Sequence, residues 1–160
     1  MVILLTALLT SDFRCLIKGA TYQYDADKGV TAQIRSIPTR PKDLYLTVTD
    51  DTDRNLWFTF DRGSANSSAR LVSSKADPGL PTWQPQDPDS NRDRAIPDQR
   101  YFLFWGNGNL APASIPEAPS APDTIFIPDL PEQVFYQRNS NLFKRLPRGL
   151  FRIKSCGNAI

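Results

Sequence analysis

The carboxylates are the groups in this sequence with the most scope for chemistry, because the chain contains no histidine. The common serine and cysteine triads therefore lack their imidazole base, and histidine-ligated metal centres cannot form. Two acids about 5–9.5 Å apart could still hydrolyse a glycoside. By residue type alone, the candidates are Asp50, Asp51, Asp53, Asp61, Glu117 and Glu132. Most of them fall in predicted turns, where Asp is favoured for its hydrogen bonds to the backbone, so we predict no catalytic residue.

Two short patterns match ligand-binding loops. Asp51-Thr-Asp53-Arg-Asn55 has the alternate oxygen spacing of a calcium loop, but Leu56 stands where that loop needs glycine. Gly106-Asn-Gly-Asn-Leu-Ala111 fits a dinucleotide-binding pattern, but Pro112 directly after it stops the helix that the pattern requires. We predict a turn at each pattern, with no metal and no cofactor.

Three aromatic side chains are the candidate recognition residues. Tyr45 and Trp57 alternate with Leu46 and Phe58, so they face the opposite side of a strand pair. If that side is open to solvent, they form a platform for sugar rings or a protein partner; if it is covered, they belong to the core. Trp83 stands between two prolines of a long irregular segment, where it either pins the segment down or faces a partner.

The charge is nearly balanced overall but unevenly distributed. The chain has 19 basic and 17 acidic residues, a formal charge of +2, which disfavours a nucleic-acid partner. Residues 133–160 contain no acid. Their basic residues are Arg138, Lys144, Arg145, Arg148, Arg152 and Lys154. We predict Arg145 and Arg148 as binding residues for an anionic partner surface, against the alternative that this segment is simply a solvated charged edge.

The cysteines and the first residues indicate the compartment. Cys15 and Cys156 lie near opposite ends of the chain, and pairing them would stabilise the fold by roughly 5 kcal/mol in the chain-entropy account. Such a disulfide requires an oxidising compartment. Residues 1–12 begin with an apolar run that is too short to span a bilayer. We interpret them as a signal-peptide remnant or a first strand, and we predict a secreted or periplasmic protein without a transmembrane segment.

Alternating apolar residues supply the elements that would position these groups. The clearest signal is a β-hairpin over residues 44–60 with an apolar face and a polar turn. Other predicted strands cover residues 13–24, 30–37, 69–73, 100–105, 124–127 and 150–156. Residues 100–105 are almost continuously apolar and predict a central strand buried on both faces. Residues 133–137 read as a strand or as the start of a helix. Residues 75–99 and 111–123 are long proline-rich connections.

The sequence thus predicts a single all-β domain over residues 13–160. We expect an antiparallel β-sandwich or barrel of about seven to eight strands with long proline-rich loops. The function we expect is an exported, non-enzymatic binding module, such as an inhibitor or immunity-type protein, with a protein partner. The alternatives are a carboxylate-dependent hydrolase acting on a polysaccharide, with a glycan as ligand, and a structural subunit of an envelope or surface assembly.

Overall fold

The computed structural model describes residues 15–61, 69–85, 94–106, 109–110, 120–136 and 145–157. In these ranges the chain forms one antiparallel sheet of ten strands and a short helix. The strands are β1 Leu16–Tyr24, β2 Thr31–Ile37, β3 Arg40–Thr49, β4 Asn55–Asp61, β5 Arg70–Ser74, β6 Gln99–Arg100, β7 Phe102–Trp105, β8 Asn109–Leu110, β9 Thr124–Phe126 and β10 Phe151–Gly157. The helix, α1, is Leu130–Tyr136. The predicted all-β antiparallel class is confirmed.

The sheet curls into a nearly closed barrel. Its strand order is β6-β5-β4-β3-β2-β1-β10-β9-β7-β8. In the chain, β6 at one edge is separated by Tyr101 alone from β7, which lies beside the other edge. One short stretch of backbone therefore pairs with β5 at its start and with β9 at its end. Apart from the small β7–β8 hairpin, the order is that of an up-and-down barrel.

Side chains fill the inside of the barrel. Alternate residues of neighbouring strands meet there, as Ala32 does opposite Val48 and Ile34 opposite Leu46. The largest fully buried side chains are Tyr22, Tyr24, Phe58, Phe151, Ile34, Leu46, Leu71, Ile125 and Leu130. A barrel of about eight strands has an interior just wide enough for side chains to fill. The outer wall is therefore the surface on which recognition has to be sought.

A disulfide joins the first and last strands of the chain, which are neighbours in the barrel wall. The sulfurs of Cys15 and Cys156 lie 2.21 Å apart and the Cα atoms 4.9 Å apart, across 141 positions of sequence. Cys15 directly precedes β1, and Cys156 lies within β10. These two strands are paired, with Leu16 opposite Gly157. Gly157 has to be glycine because a Cβ there would lie 1.6 Å from the carbonyl oxygen of Lys18. The predicted pairing of the cysteines is confirmed.

The predicted first element cannot be compared, since residues 1–12 lie outside the described ranges. Within those ranges, no helix is both long and apolar enough to cross a bilayer.

One strand prediction is wrong. Residues 100–105 do not form a single strand buried on both faces; the strand is interrupted at Tyr101, between β6 and β7. Phe102 is 38% exposed, and its ring stacks on that of Phe126 on the outer wall, with centroids 6.2 Å apart. The run is apolar because Tyr101 and Leu103 enter the core while the intervening phenylalanine forms this outer pair.

Two segments whose sequence patterns were ambiguous form a helix and a turn followed by a strand. Of the segment predicted as a strand or as the start of a helix, residues 133–136 belong to α1, whose first turn contains the acidic Glu132. After Gly106, with φ 53°, the chain returns as β8, which pairs Trp105 with Asn109. A strand follows where the dinucleotide pattern needs a helix, so the turn prediction is confirmed.

Candidate functional site

The predicted aromatic residues meet on the outer wall of the barrel. Tyr45 is 2% and Trp83 8% exposed, and both pack with Ile37, while Trp57 is half-buried against them. The indole nitrogen of Trp83 donates a hydrogen bond of 3.2 Å to Ser74 Oγ. The cover over Tyr45 is thus the loop after β5 and not a second sheet. We call Ile37, Tyr45, Trp57 and Trp83 the outer aromatic cluster.

Two tight turns bring Trp83 back onto the barrel. The carboxylate of Asp77 accepts a 2.7 Å hydrogen bond from the Gly79 amide, and the Trp83 amide donates to the Leu80 carbonyl at 3.0 Å. A Cβ at Gly79 would lie 2.6 Å from the Tyr45 hydroxyl, so the loop needs glycine where it crosses that ring. Burial and the nearby Asp77 raise the pKa of Tyr45, although Arg35 opposes them. Tyr45 therefore stays neutral beneath the loop.

A pocket of about 370 Å³ opens beside this cluster. The hydrogen-bonded register between β3 and β4 stops at Tyr45 opposite Thr59, although β3 begins at Arg40 and β4 continues to Asp61. The two strands therefore part at this end, and the pocket lies where they separate. Its lining is Ile37, Arg40, Asp43, Leu44, Thr59, Phe60, Asp61, Val72, Trp83 and Pro85. We call it the Trp83 pocket.

The charged groups at the Trp83 pocket already have partners. The Asp61 carboxylate forms a 2.9 Å ion pair with Arg70. The Arg70 guanidinium also lies 3.0 Å from the Asp98 carboxylate. Arg40 lies 3.9 Å from Asp43 in a looser exposed pair. Because these charges are neutralised within the chain, the apolar wall dominates what the pocket can bind. The arrangement suits an uncharged apolar side chain better than an ion.

Asp50, one of the candidate acids, has a structural role. Its side chain is fully buried and accepts hydrogen bonds from the amides of Thr52 and Arg54, at 2.9 and 3.1 Å. The Thr52 hydroxyl and the Arg54 guanidinium donate as well, at 2.7 and 2.8 Å. Burial alone would raise the pKa of Asp50, but these hydrogen bonds outweigh it and lower the pKa to about 2. An acid held ionised in this way closes the β3–β4 hairpin and cannot act as a proton donor near neutral pH.

The other candidate acids are dispersed. Asp51 and Asp53 are exposed in the same hairpin turn, where Asp53 has φ 59°, so the calcium-like pattern is this turn, as predicted. Asp61 pairs with Arg70, Glu132 lies in the first turn of α1, and Glu117 is outside the described ranges. Over the part of the chain that the structure describes, no three His, Cys, Asp or Glu residues group as metal ligands.

The predicted basic residues have different local surroundings. The guanidinium of Arg145 lies 4.7 Å from the centroid of the Phe135 ring, which is 50% exposed at the end of α1. Arg148 is exposed on the segment leading to β10. Arg152 forms a 3.2 Å pair with Asp25. Arg138 and Lys144 lie outside the described ranges, so their place in a basic surface stays a prediction.

Sequence reasoning missed the residues that shape the Trp83 pocket. Thr59 and Val72 look like ordinary strand residues, and only the register shows that they lie beside the diverging ends of β3 and β4. Comparison of the chain with protein-family models, with curated proteins and with solved structures finds no match.

Proposed function

We propose that the protein is an exported, non-enzymatic binding module that recognises a protein partner through the Trp83 pocket. The observation that carries the proposal is the apolar opening between β3 and β4, bounded by Trp83 on the outer wall. The occupant we propose is an apolar side chain of the partner, with the partner's backbone running past the polar rim. The predicted binding residues Tyr45 and Trp57 then act as the support beneath and beside Trp83.

Composition of the pocket favours this occupant. Leu44, Phe60 and Val72 form the apolar part of the lining, with Trp83 alongside, and tryptophan is among the residues on which binding energy concentrates at protein interfaces. Its 370 Å³ volume lies at the lower end of the roughly 300–1,000 Å³ range for small-ligand sites. One or two side chains of a partner would fill it.

Rigidity of the surroundings also supports binding. The Trp83 ring is fixed by Ser74 and by its contact with Tyr45, and the first and last strands are tied together by the disulfide. A surface that is ordered before association loses little conformational entropy when it binds. This is the design expected of an inhibitor or immunity-type protein.

The disulfide supports the exported location as well. Cytosolic thiols are kept reduced, whereas secreted and periplasmic proteins retain their disulfides. A bond between Cys15 and Cys156 that spans nearly the whole chain is the type that stabilises an exported domain.

The test uses a pocket-filling variant and a matched control. Thr59→Tyr places a ring in the Trp83 pocket while keeping a residue favoured in strands. Thr31→Tyr makes the same exchange on β2, outside that pocket. The tagged chain is used to capture a protein from the exported fraction of its source. The captured protein is then purified separately and titrated calorimetrically against the three chains.

We expect a one-to-one complex that Thr59→Tyr weakens at least tenfold, about 1.4 kcal/mol, and that Thr31→Tyr leaves unchanged. Equal binding by both variants, or failure of the purified pair to associate, would overturn the proposal.

A further inference from the structure

A second concavity, of about 430 Å³, lies on the outer wall across β10, β1, β2 and β3. Its lining shares no residue with that of the Trp83 pocket. The polar side chains that line it are Thr21, Thr31, Gln33, Arg35, Thr47, Thr49, Lys154 and Ser155. Among the residues that the structure describes, its lining provides two cations, four threonine hydroxyls, a serine hydroxyl and an amide, and no carboxylate. We call it the polar groove.

The strand register explains how these groups come together. Thr21 on β1 lies opposite Ser155 on one side and Gln33 on the other, and Gln33 lies opposite Thr47. This row crosses three strand spacings, about 14 Å. A bulge in β10 adds Lys154 to the groove, since Thr21 pairs with Ser155 but the next residue of β1 pairs with Ile153.

A buried hydroxyl in the groove has no partner. Thr47 is only 6% exposed, and its Oγ1 makes no hydrogen bond within the part of the chain that the structure describes. A buried hydroxyl that has lost water without gaining a partner destabilises the protein. Thr47 therefore gains from a ligand in the groove that brings a donor or acceptor to its hydroxyl.

The remaining groups indicate what that ligand is. Arg35 donates from Nε to the Gln33 side-chain oxygen at 2.7 Å, which holds its planar guanidinium over the groove wall. Thr21 and Ser155 share a hydrogen bond across the strands at 2.5 Å. Hydroxyls and an amide recognise a polyhydroxylated ligand, while a guanidinium and an ammonium recognise an anion.

We propose that the polar groove binds an acidic saccharide, a short chain of sugar rings that carries a carboxylate. Its ring hydroxyls lie along the row of Ser155, Thr21, Gln33 and Thr47. Its carboxylate lies between Arg35 and Lys154. The row crosses three strand spacings, which is much longer than a single inorganic oxyanion. This site is independent of the proposed protein-binding pocket, because the two lie on either side of Tyr45, whose register neighbours are Arg35 on β2 and Thr59 on β4.

The experiment titrates the full, oxidised chain with three probes: a trigalacturonate, a neutral trisaccharide and inorganic phosphate. Binding is followed by calorimetry and by amide chemical shifts. We expect trigalacturonate to bind one-to-one with a dissociation constant below about 1 mM, and the shifts to map to β1, β2 and β3. The neutral sugar and phosphate should each bind at least tenfold more weakly.

Variants separate a binding site from a merely structural row of hydroxyls. Thr47→Val keeps the shape of the side chain and removes the unpartnered hydroxyl, so it should fold at least as stably as the parent chain and bind trigalacturonate at least fivefold more weakly. Lys154→Gln removes an exposed cation of the groove and should weaken binding by a similar factor. Lys42→Gln, an exposed residue of β3 outside both concavities, is the matched control and should bind like the parent chain.

Several results would overturn the proposal. They are trigalacturonate binding unaffected by Thr47→Val and Lys154→Gln, equal affinity for the neutral sugar, equal affinity for phosphate, or no binding below 1 mM. Thr31→Tyr should block the saccharide while leaving the protein partner bound, and Thr59→Tyr should do the reverse. Failure of one site is thereby distinguished from failure of the other.

Discussion

Replacing Asp50 by asparagine tests how the hairpin that carries Tyr45 and Trp57 is held together. The substitution keeps the side-chain shape and an acceptor oxygen, but removes the charge that faces Arg54 at 2.8 Å. The hydrogen bonds around Asp50 outweigh burial and lower its pKa from the ordinary 3.8 to about 2. At about 1.4 kcal/mol for each tenfold change in acidity, the ionised form contributes about 2 kcal/mol to folding.

The lowered pKa of Asp50 sets how the free energy of unfolding depends on pH. The pKa of Asp50 is lower in the folded than in the unfolded chain, so folding favours the ionised carboxylate. The contribution is complete above the unfolded pKa, near pH 4, and is lost as the pH falls through about 2. The parent chain should therefore exceed Asp50→Asn in stability by about 2 kcal/mol at pH 7, and by less than about 1 kcal/mol at pH 2.

Urea unfolding followed by tryptophan fluorescence at the two pH values measures this difference. Asp53→Asn is the matched control, because it makes the same exchange at an exposed position of the same turn, and asparagine tolerates the positive φ of 59° there. The control should stay within about 0.5 kcal/mol of the parent at both pH values. A difference for Asp50→Asn that is as large at pH 2 as at pH 7 would refute the assigned cause.

Four further predictions concern the packing and the disulfide of the barrel, and urea unfolding at pH 7 checks each. Tyr22→Phe should raise stability by about 1 kcal/mol, since the Tyr22 hydroxyl is buried without a partner in the described ranges. Tyr24→Phe should lower it by about as much, because that hydroxyl donates to the Pro147 carbonyl at 2.7 Å; equal effects of the two would contradict the assignment. Replacing both Cys15 and Cys156 by serine should cost up to about 5 kcal/mol, and no loss would mean that the bond is not formed. Gly149→Ala should cost about 1–3 kcal/mol, because its Cβ would lie 2.7 Å from Asp25 Oδ1; an unchanged stability would show that the contact yields freely.

Local pattern was enough to predict the hairpin and the sides on which its residues lie. Leu46 and Phe58 face the core while Tyr45 and Trp57 face outwards, as their alternation indicates. What covers the outward pair could not be predicted, because Trp83 belongs to a loop without periodicity and reaches Tyr45 only through tertiary contacts.

The pattern of residues within single segments also could not predict how the barrel closes. Residues 100–105, five of them apolar or aromatic, look like one buried strand. The strand is interrupted at Tyr101, so that Arg100 pairs with β5 while Phe102 and the two residues after it pair with β9. Both concavities depend on register, which sets where β3 parts from β4 and which hydroxyls lie beside Thr47. Register is fixed by the whole set of strands and cannot be derived from any one of them.

The central claim is that the outer wall beside Trp83 carries recognition. A photo-reactive phenylalanine analogue in place of Thr59 tests it most directly, with the same analogue at Lys28, in the exposed turn before β2, as the control. On irradiation in the exported fraction, we predict one adduct of constant mass from the Thr59 position and none from the Lys28 position. Adducts from both positions, or from neither, would contradict the account.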